Sequence, residues 1–213
     1  YLVFGIILGS PRADFLSFLI VGKLPFQWFS GGVNSSANSI VSAQHLISQT
    51  PVPKALLVLS RVQQISYKQA AVFALLLVYA ILSGSEVTHA WLWLPLVVLV
   101  QYVLVATCAL ISAVMVCFAK DFGKLIQFGT LALMFCSGIF WDVRSLSPDL
   151  QWWVFTFNPL AFLLDAYRQV ILYGQPCDVL HLLAILVVFS AFGAAVMKWI
   201  AMNESKLASA VLS

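Results

Sequence analysis

Between Ala90 and Ala119 the chain runs for thirty residues without one charged side chain. A helix at a protein surface needs a polar stripe, so a run this long has to be wrapped in protein or in lipid. About 20 apolar residues are enough to cross the hydrocarbon core of a bilayer. Composition decides for lipid: hydrophobic residues are 62% of the 213 and charged residues only 9%, where soluble domains carry roughly 25% charged. The expected fold is an all-α integral membrane protein that crosses the bilayer several times. No basic cluster interleaved with aromatics is present, so nucleic-acid binding has no support.

The remaining spans follow from the same criterion. Tyr1–Leu8 reads as the outer end of a first span, apparently truncated, whose beginning lies before this sequence. Phe15–Val33 is the second, and Asn34–His45, free of Pro and Gly, is expected to extend the same helix. Gly31/Ser35, Gly32/Ser36 and Ser35/Ser39 are small residues four apart, a spacing that lets helices approach closely. Packing within the chain and contact with a second copy both fit that spacing. Gln49-Thr-Pro-Val-Pro53 breaks the helix. A third span runs from about Gln69 to Ser83, either by itself or as the end of a longer helix starting near Ala55. After a short loop carrying Glu86 and His89, Trp91 and Trp93 suit a membrane interface. The fourth span lies within Ala90–Ala119, and the fifth, Leu125–Phe140, is short for a full crossing. The sixth is Val179–Met202.

Charge orients these spans. Lys54, Arg61, Lys68, Lys120, Lys124, Lys198 and Lys206 fall on one side of a six-span topology, which the positive-inside rule makes cytoplasmic. Arg12, Arg144 and Arg168 fall opposite, each near an aspartate. The C-terminus is therefore expected in the cytoplasm.

One segment is neither plain loop nor plain span. Gly138–Arg168 holds Trp141, Trp152 and Trp153, two prolines, and the neighbouring pairs Asp142/Arg144 and Asp165/Arg168. Short amphipathic helices lying at a membrane–water interface suit this mixture. Other chemistry is scarce. No Gly-x-x-x-x-Gly-Lys-Ser/Thr, HExxH or Gly-x-Ser-x-Gly is present, so neither ATP binding through a P-loop nor hydrolysis has a motif. Cys108, Cys117, Cys136 and Cys177 lack paired spacing and read as packing residues, with no metal site. His45, His89 and His181 stand apart, and Asp178 three residues before His181 suits a cap on the last span.

Candidate pathway residues are Lys23, an ammonium inside an apolar run, and the aromatics Phe26, Trp28, Phe29, Trp141, Trp152, Trp153 and Phe155. Ionisable groups at membrane depth point to function, although a lysine near a boundary can also snorkel to water. Aromatic faces stack on sugar rings, which suits a conduit for carbohydrate; a lipid-interface belt uses the same residues.

Several stretches together resemble a known family. They are Gly22-Lys-Leu-Pro-Phe-Gln-Trp-Phe-Ser30, the Asn34/Asn38/Ser39 extension, the Pro51-Val-Pro53 break, Lys120-Asp121, and Ser137-Gly-Ile-Phe-Trp141. The most specific is Asn158-Pro-Leu-Ala-Phe-Leu-Leu-Asp-Ala-Tyr-Arg-Gln-Val-Ile-Leu-Tyr-Gly174. The chain resembles the permease subunit of type-2 ABC exporters over nearly its whole length. Within these it is most similar to exporters of lipid-linked O-antigen, capsular polysaccharide or teichoic acid. The resemblance implies a single transmembrane domain over residues 1–213, six spans, and short extracytoplasmic helices between spans five and six. It also implies a homodimer in a bacterial inner membrane, surrounded by membrane lipids. Two copies of a separate ATPase subunit would bind ATP and Mg. An N-terminal amphipathic helix before the first span belongs to that pattern and is absent from this sequence. By position, Ser48, Gln49, Thr50, Pro51, Val52, Pro53 and Lys54 match the element that couples to the ATPase. Exporters of drugs or lipids share the pattern, and an ion-coupled carrier or channel is a more distant alternative.

Overall fold

The computed structural model describes residues 14–50 and 52–212, and every regular element among them is helical. The expected first span lies outside the described residues. The helices are α1 (Phe15–Ala37), α2 (Ser39–Ser42), α3 (Gln44–Gln49), α4 (Lys54–Leu82), α5 (Leu94–Phe118), α6 (Phe122–Cys136), α7 (Pro148–Phe157), α8 (Pro159–Ile171), α9 (Val179–Met202) and α10 (Glu204–Leu212). Tight 3-10 turns occupy His89–Trp93 and Val143–Ser145.

Among the described residues three stretches are long and apolar enough to cross a membrane: Lys54–Leu82, His89–Phe118 and Val179–Met202. The chain is a multi-pass membrane protein by that measure. α4 begins at Lys54 because Pro53 cannot continue a helix from upstream but readily precedes one. α9 has the bounds that hydropathy gave, and Asp178 caps it by accepting from the His181 backbone N–H at 3.2 Å.

Two expectations change. The extension after Val33 is not one helix: it breaks at Asn38 (φ −93°, ψ 4°) and again at Ala43 (φ −92°, ψ 16°). The run is rich in Ser and Asn, whose side chains compete for backbone groups and weaken a helix interior. The fifth helix stops at Cys136, four residues before Phe140. Gly138 then turns with φ +70°, a left-handed conformation that glycine adopts without strain. Fifteen residues rise about 22 Å, short of the ~30 Å core.

The described residues fall into two compact units. One comprises the described part of Tyr1–Gln27 with Ala70–Leu99 and Leu133–Leu182; the other comprises Trp28–Gln69, Val100–Ala132 and Leu183–Ser213. In the first, α8 is the core: every residue from Leu160 to Ile171 is buried, together with Phe15, Phe18, Val21, Leu76 and Val97. The second buries Trp28, Val33, Ile40, Val62, Leu104, Leu110, Ile200 and Leu207.

Lipid is as apolar as leucine, so close packing and polar contacts have to hold such helices together. The second unit shows both. A Cβ on Gly32 would lie 2.5 Å from Val105 Cγ1, so this glycine admits α5 against α1. The Gly32 part of the small-residue spacing thus serves packing within the chain, whereas Gly31 faces open space. Asn34 Nδ2 donates to Thr130 Oγ1 at 3.0 Å, Tyr102 Oη to Gln63 Oε1 at 3.0 Å, and Thr107 Oγ1 to the Phe189 carbonyl at 3.0 Å. Each such bond contributes about 0.6 kcal/mol in a membrane.

Candidate functional site

The segment between α6 and α9 is assembled by capping interactions that its sequence dictates. Trp141 Nε1 donates to the Phe135 carbonyl at 2.9 Å, closing the exposed end of α6. Asp142 accepts from the Arg144 backbone N–H at 2.9 Å and starts the 3-10 turn. Pro148 takes the first helical position of α7, where its missing N–H costs nothing. Gln151 Nε2 donates back to the carbonyls of Arg144 (3.0 Å) and Leu146 (2.7 Å), so the loop is pinned to α7.

Asn158 is the joint. Its Oδ1 accepts from the Ala161 N–H at 3.1 Å and caps α8, with Pro159 next. Its Nδ2 donates to Ser137 Oγ at 3.1 Å and the Cys136 carbonyl at 3.4 Å. One residue therefore closes α7 through its backbone N–H, which donates to the Val154 carbonyl at 2.9 Å, while its side chain starts α8 and ties it to the end of α6.

The charged residues of this segment pair differently from their order in sequence. Asp165 does not pair with Arg168, its neighbour one turn on. It takes Arg144 in a forked contact, Nε to Oδ1 at 3.0 Å and Nη2 to Oδ2 at 2.8 Å. Asp165 is buried while the Arg144 side chain is half exposed. The hydrogen bonds that Arg144 donates to the Asp165 carboxylate hold its guanidinium above its ordinary pKa. Arg168, 2% exposed, donates to three backbone carbonyls instead: Phe18 (3.3 Å), Gly138 (2.8 Å) and Ile139 (3.2 Å). Its guanidinium carbon lies 3.5 Å from the centre of the Phe18 ring. Gly22 leaves the room, since a Cβ there would collide with Arg168 Nη2. Tyr167, fully buried beside it, faces Phe73 with ring centres 5.4 Å apart.

The predicted pathway residues separate by exposure. Phe26, Trp28 and Phe29 are buried within the chain at 3%, 4% and 5%. Trp28 Nε1 donates to Ser66 Oγ at 3.2 Å, so it serves as a packing residue with a satisfied polar tip. Trp152 and Trp153 are exposed on α7. They meet edge to face at 5.3 Å, and Trp153 stacks on exposed Phe157 at 5.1 Å, making an ordered aromatic platform. Phe155, half-buried, packs edge-on against Phe162. Trp141 is half-buried and committed to its cap. Lys23 is half-buried, with Nζ 3.1 Å from Met134 Sδ and 5.7 Å from the Phe26 ring centre.

The predicted coupling residues lie in the other unit. Gln49 ends α3 and Thr50 is extended (φ −140°); both are exposed. Pro51 lies outside the described residues. The Val52 N–H bonds the Thr50 carbonyl at 2.9 Å, and Pro53 is exposed before α4. Of Ser48, only its place in α3 is described. Lys54 is buried, its Nζ 3.5 Å from Glu204 Oε2 of α10. Beside this segment Ser39, Ser42, Ala43, Leu57, Ser60, Arg61 and Gln64 line an open groove of about 260 Å³.

Sequence reasoning missed the three-carbonyl seat of Arg168 and the joint at Asn158. The only signals were a glycine in an apolar run at Gly22 and an Asn-Pro pair before a helix. Among the described residues no group of three His, Cys, Asp or Glu side chains is placed to hold a metal ion. The arrangement offers shaped surfaces and fixed joints.

Comparison with known proteins agrees in kind. Residues 2–172 match the family model described as ABC-2 type transporter. Two Klebsiella pneumoniae proteins, each named O-antigen export system permease protein RfbA, are similar to this chain. They are 22% and 23% identical over 175 residues, 82% of this chain and 67% of each relative.

Proposed function

Because the chain belongs to the ABC-2 type transporter family, and is in that sense a transporter subunit rather than an enzyme, we propose that it exports a lipid-linked polysaccharide of the O-antigen, capsule or teichoic-acid type. The observation that carries this is the similarity, along 82% of the chain, to two permeases named for O-antigen export. In this reading residues 1–213 form one transmembrane domain of six spans in a bacterial inner membrane, with the C-terminus in the cytoplasm. Two copies enclose the path, and two copies of an ABC ATPase supply the work, binding ATP and Mg themselves.

Two surfaces support the reading. The platform of Trp152, Trp153 and Phe157 is exposed in the isolated chain, and stacked rings bind sugar faces without selecting a linkage. Lys23, Trp141 and Phe155 would also line the path, and Phe26, Trp28 and Phe29 would contribute to it from within the chain. The exposed Gln49, Thr50 and Pro53, together with Ser48, Pro51, Val52 and Lys54, would receive the push of the ATPase.

Deletion of the gene tests the substrate: surface polysaccharide is lost while drug sensitivity is unchanged. Drug sensitivity with intact surface polymer would instead identify a small-amphiphile exporter. Coupling is tested at Gln49→Glu and Thr50→Glu. Lys54→Glu is the poorer probe, because it would set a second carboxylate against Glu204. With the ATPase subunit present, the two exposed substitutions are expected to leave ATP hydrolysis running while export falls at least tenfold.

A further inference from the structure

Lys23 stands eight residues inside the start of α1, within the apolar run Phe15–Val33. An ammonium carries three N–H donors. At this depth each unmet donor and the charge itself are costly, so such lysines normally reach a carboxylate, a carbonyl or water. Among the described residues Lys23 reaches none of the first two. Its partners are a thioether, Met134 Sδ at 3.1 Å, and the face of Phe26 at 5.7 Å. Sulfur is a weak acceptor and takes one donor only. The amine is drawn against α6 and remains half-buried.

We propose that Lys23 is an anion site for the phosphate of a lipid. The amine is positive, incompletely neutralised and partly accessible, and its surroundings are apolar. An anion that arrives there has to be carried by a hydrocarbon chain, which makes a phosphate on a lipid the fitting class. A lysine suits phosphate as a compact point charge and does not demand the two-pronged geometry of arginine. Choosing the export substrate as the bearer of that phosphate rests on the function proposed above; the site itself does not. Met134 and Phe26 act as placeholders that hold the amine in position until the anion binds.

The full chain in phosphatidylcholine nanodiscs, doped with undecaprenyl phosphate in one arm and phosphatidylglycerol in the other, tests this by native mass spectrometry of retained lipid. The wild type is expected to retain undecaprenyl phosphate, Lys23→Met to weaken that retention about tenfold, and Lys23→Arg to stay within about threefold. Loss of phosphatidylglycerol in Lys23→Met, to the same degree, would keep the site but assign it to ordinary anionic headgroups, leaving the export reading to its own test. Lys23→Gln serves as a second variant should Lys23→Met aggregate. Equal retention by wild type and neutral variants, or no retention by the wild type in either arm, overturns the proposal.

Discussion

The chain carries charge in two contrasting ways. In α8, Asp165 and Arg168 are 5% and 2% exposed, and each is held by several short hydrogen bonds. Along the first half of α4, Arg61 and Lys68 are exposed, and only Lys54 is buried, at 3.5 Å from a partly exposed glutamate. Buried charge costs several kcal/mol unless every partner is present, so the α8 residues are structural joints. Exposed charge contributes little to stability and stays available for topology and for partners. Substitutions in the two regions should therefore differ in kind as well as size.

The largest effect is expected at Arg168. Replacing it with Met removes hydrogen bonds to three buried carbonyls, at about 1–3 kcal/mol for each group that finds no other donor, and the yield of monodisperse protein in detergent should collapse. Gly22→Ala attacks the same seat from the other side and should cost about 1–3 kcal/mol. The pair should be strongly non-additive, because both changes break one set of bonds. Additive melting shifts for Gly22→Ala and Arg168→Met would mean that the seat is not a unit.

Next comes Arg144→Met, which leaves the Asp165 carboxylate buried without its fork. A loss on the order of 3 kcal/mol is expected, with Arg144→Met/Asp165→Leu recovering much of it. Failure of the double variant to recover would show that Asp165 serves something besides Arg144. Asn158→Ala should cost about 1 kcal/mol for the lost cap and loosen the α7–α8 joint, which limited proteolysis near residue 158 can report.

The smallest effects belong to the charges of α4 and to Glu204 of α10, which pairs with Lys54. Glu204→Gln should change stability by no more than about 1 kcal/mol, given that the carboxylate is partly exposed and screened. Arg61→Ala should stay within about 0.5 kcal/mol. A melting shift at Arg61 as large as that at Arg144 would erase the contrast between the regions.

Much of the architecture was legible from residue order. The bounds of α9, the start of α4 after Pro53, and the helical breaks around Gln49–Pro53 follow from hydropathy and proline chemistry. The exposed aromatic face of α7 was visible as composition, but not its geometry. Less legible was the end of α1: no Gly or Pro marks the breaks at Asn38 and Ala43, and only the weak helix propensity of Ser and Asn hints at them. Exposure was the other gap. Phe26, Trp28 and Phe29 look like Trp152 and Trp153 in a sequence, yet the first three are buried and the last two exposed.

Sequence alone settled that this chain lives in a bilayer, because runs such as Ala90–Ala119 have no polar face to offer water. It also placed both ends of α9 and the starts of α1 and α4, since proline and cap residues act on their immediate neighbours. Which charges meet was decided only in three dimensions. Asp165 and Arg168 are one turn apart and read as partners, but Gly138 turns the chain so that two carbonyls face Arg168, Gly22 makes room for its guanidinium, and Arg144 is brought to Asp165. Pairing depends on distances across the fold, which spacing along a helix does not encode.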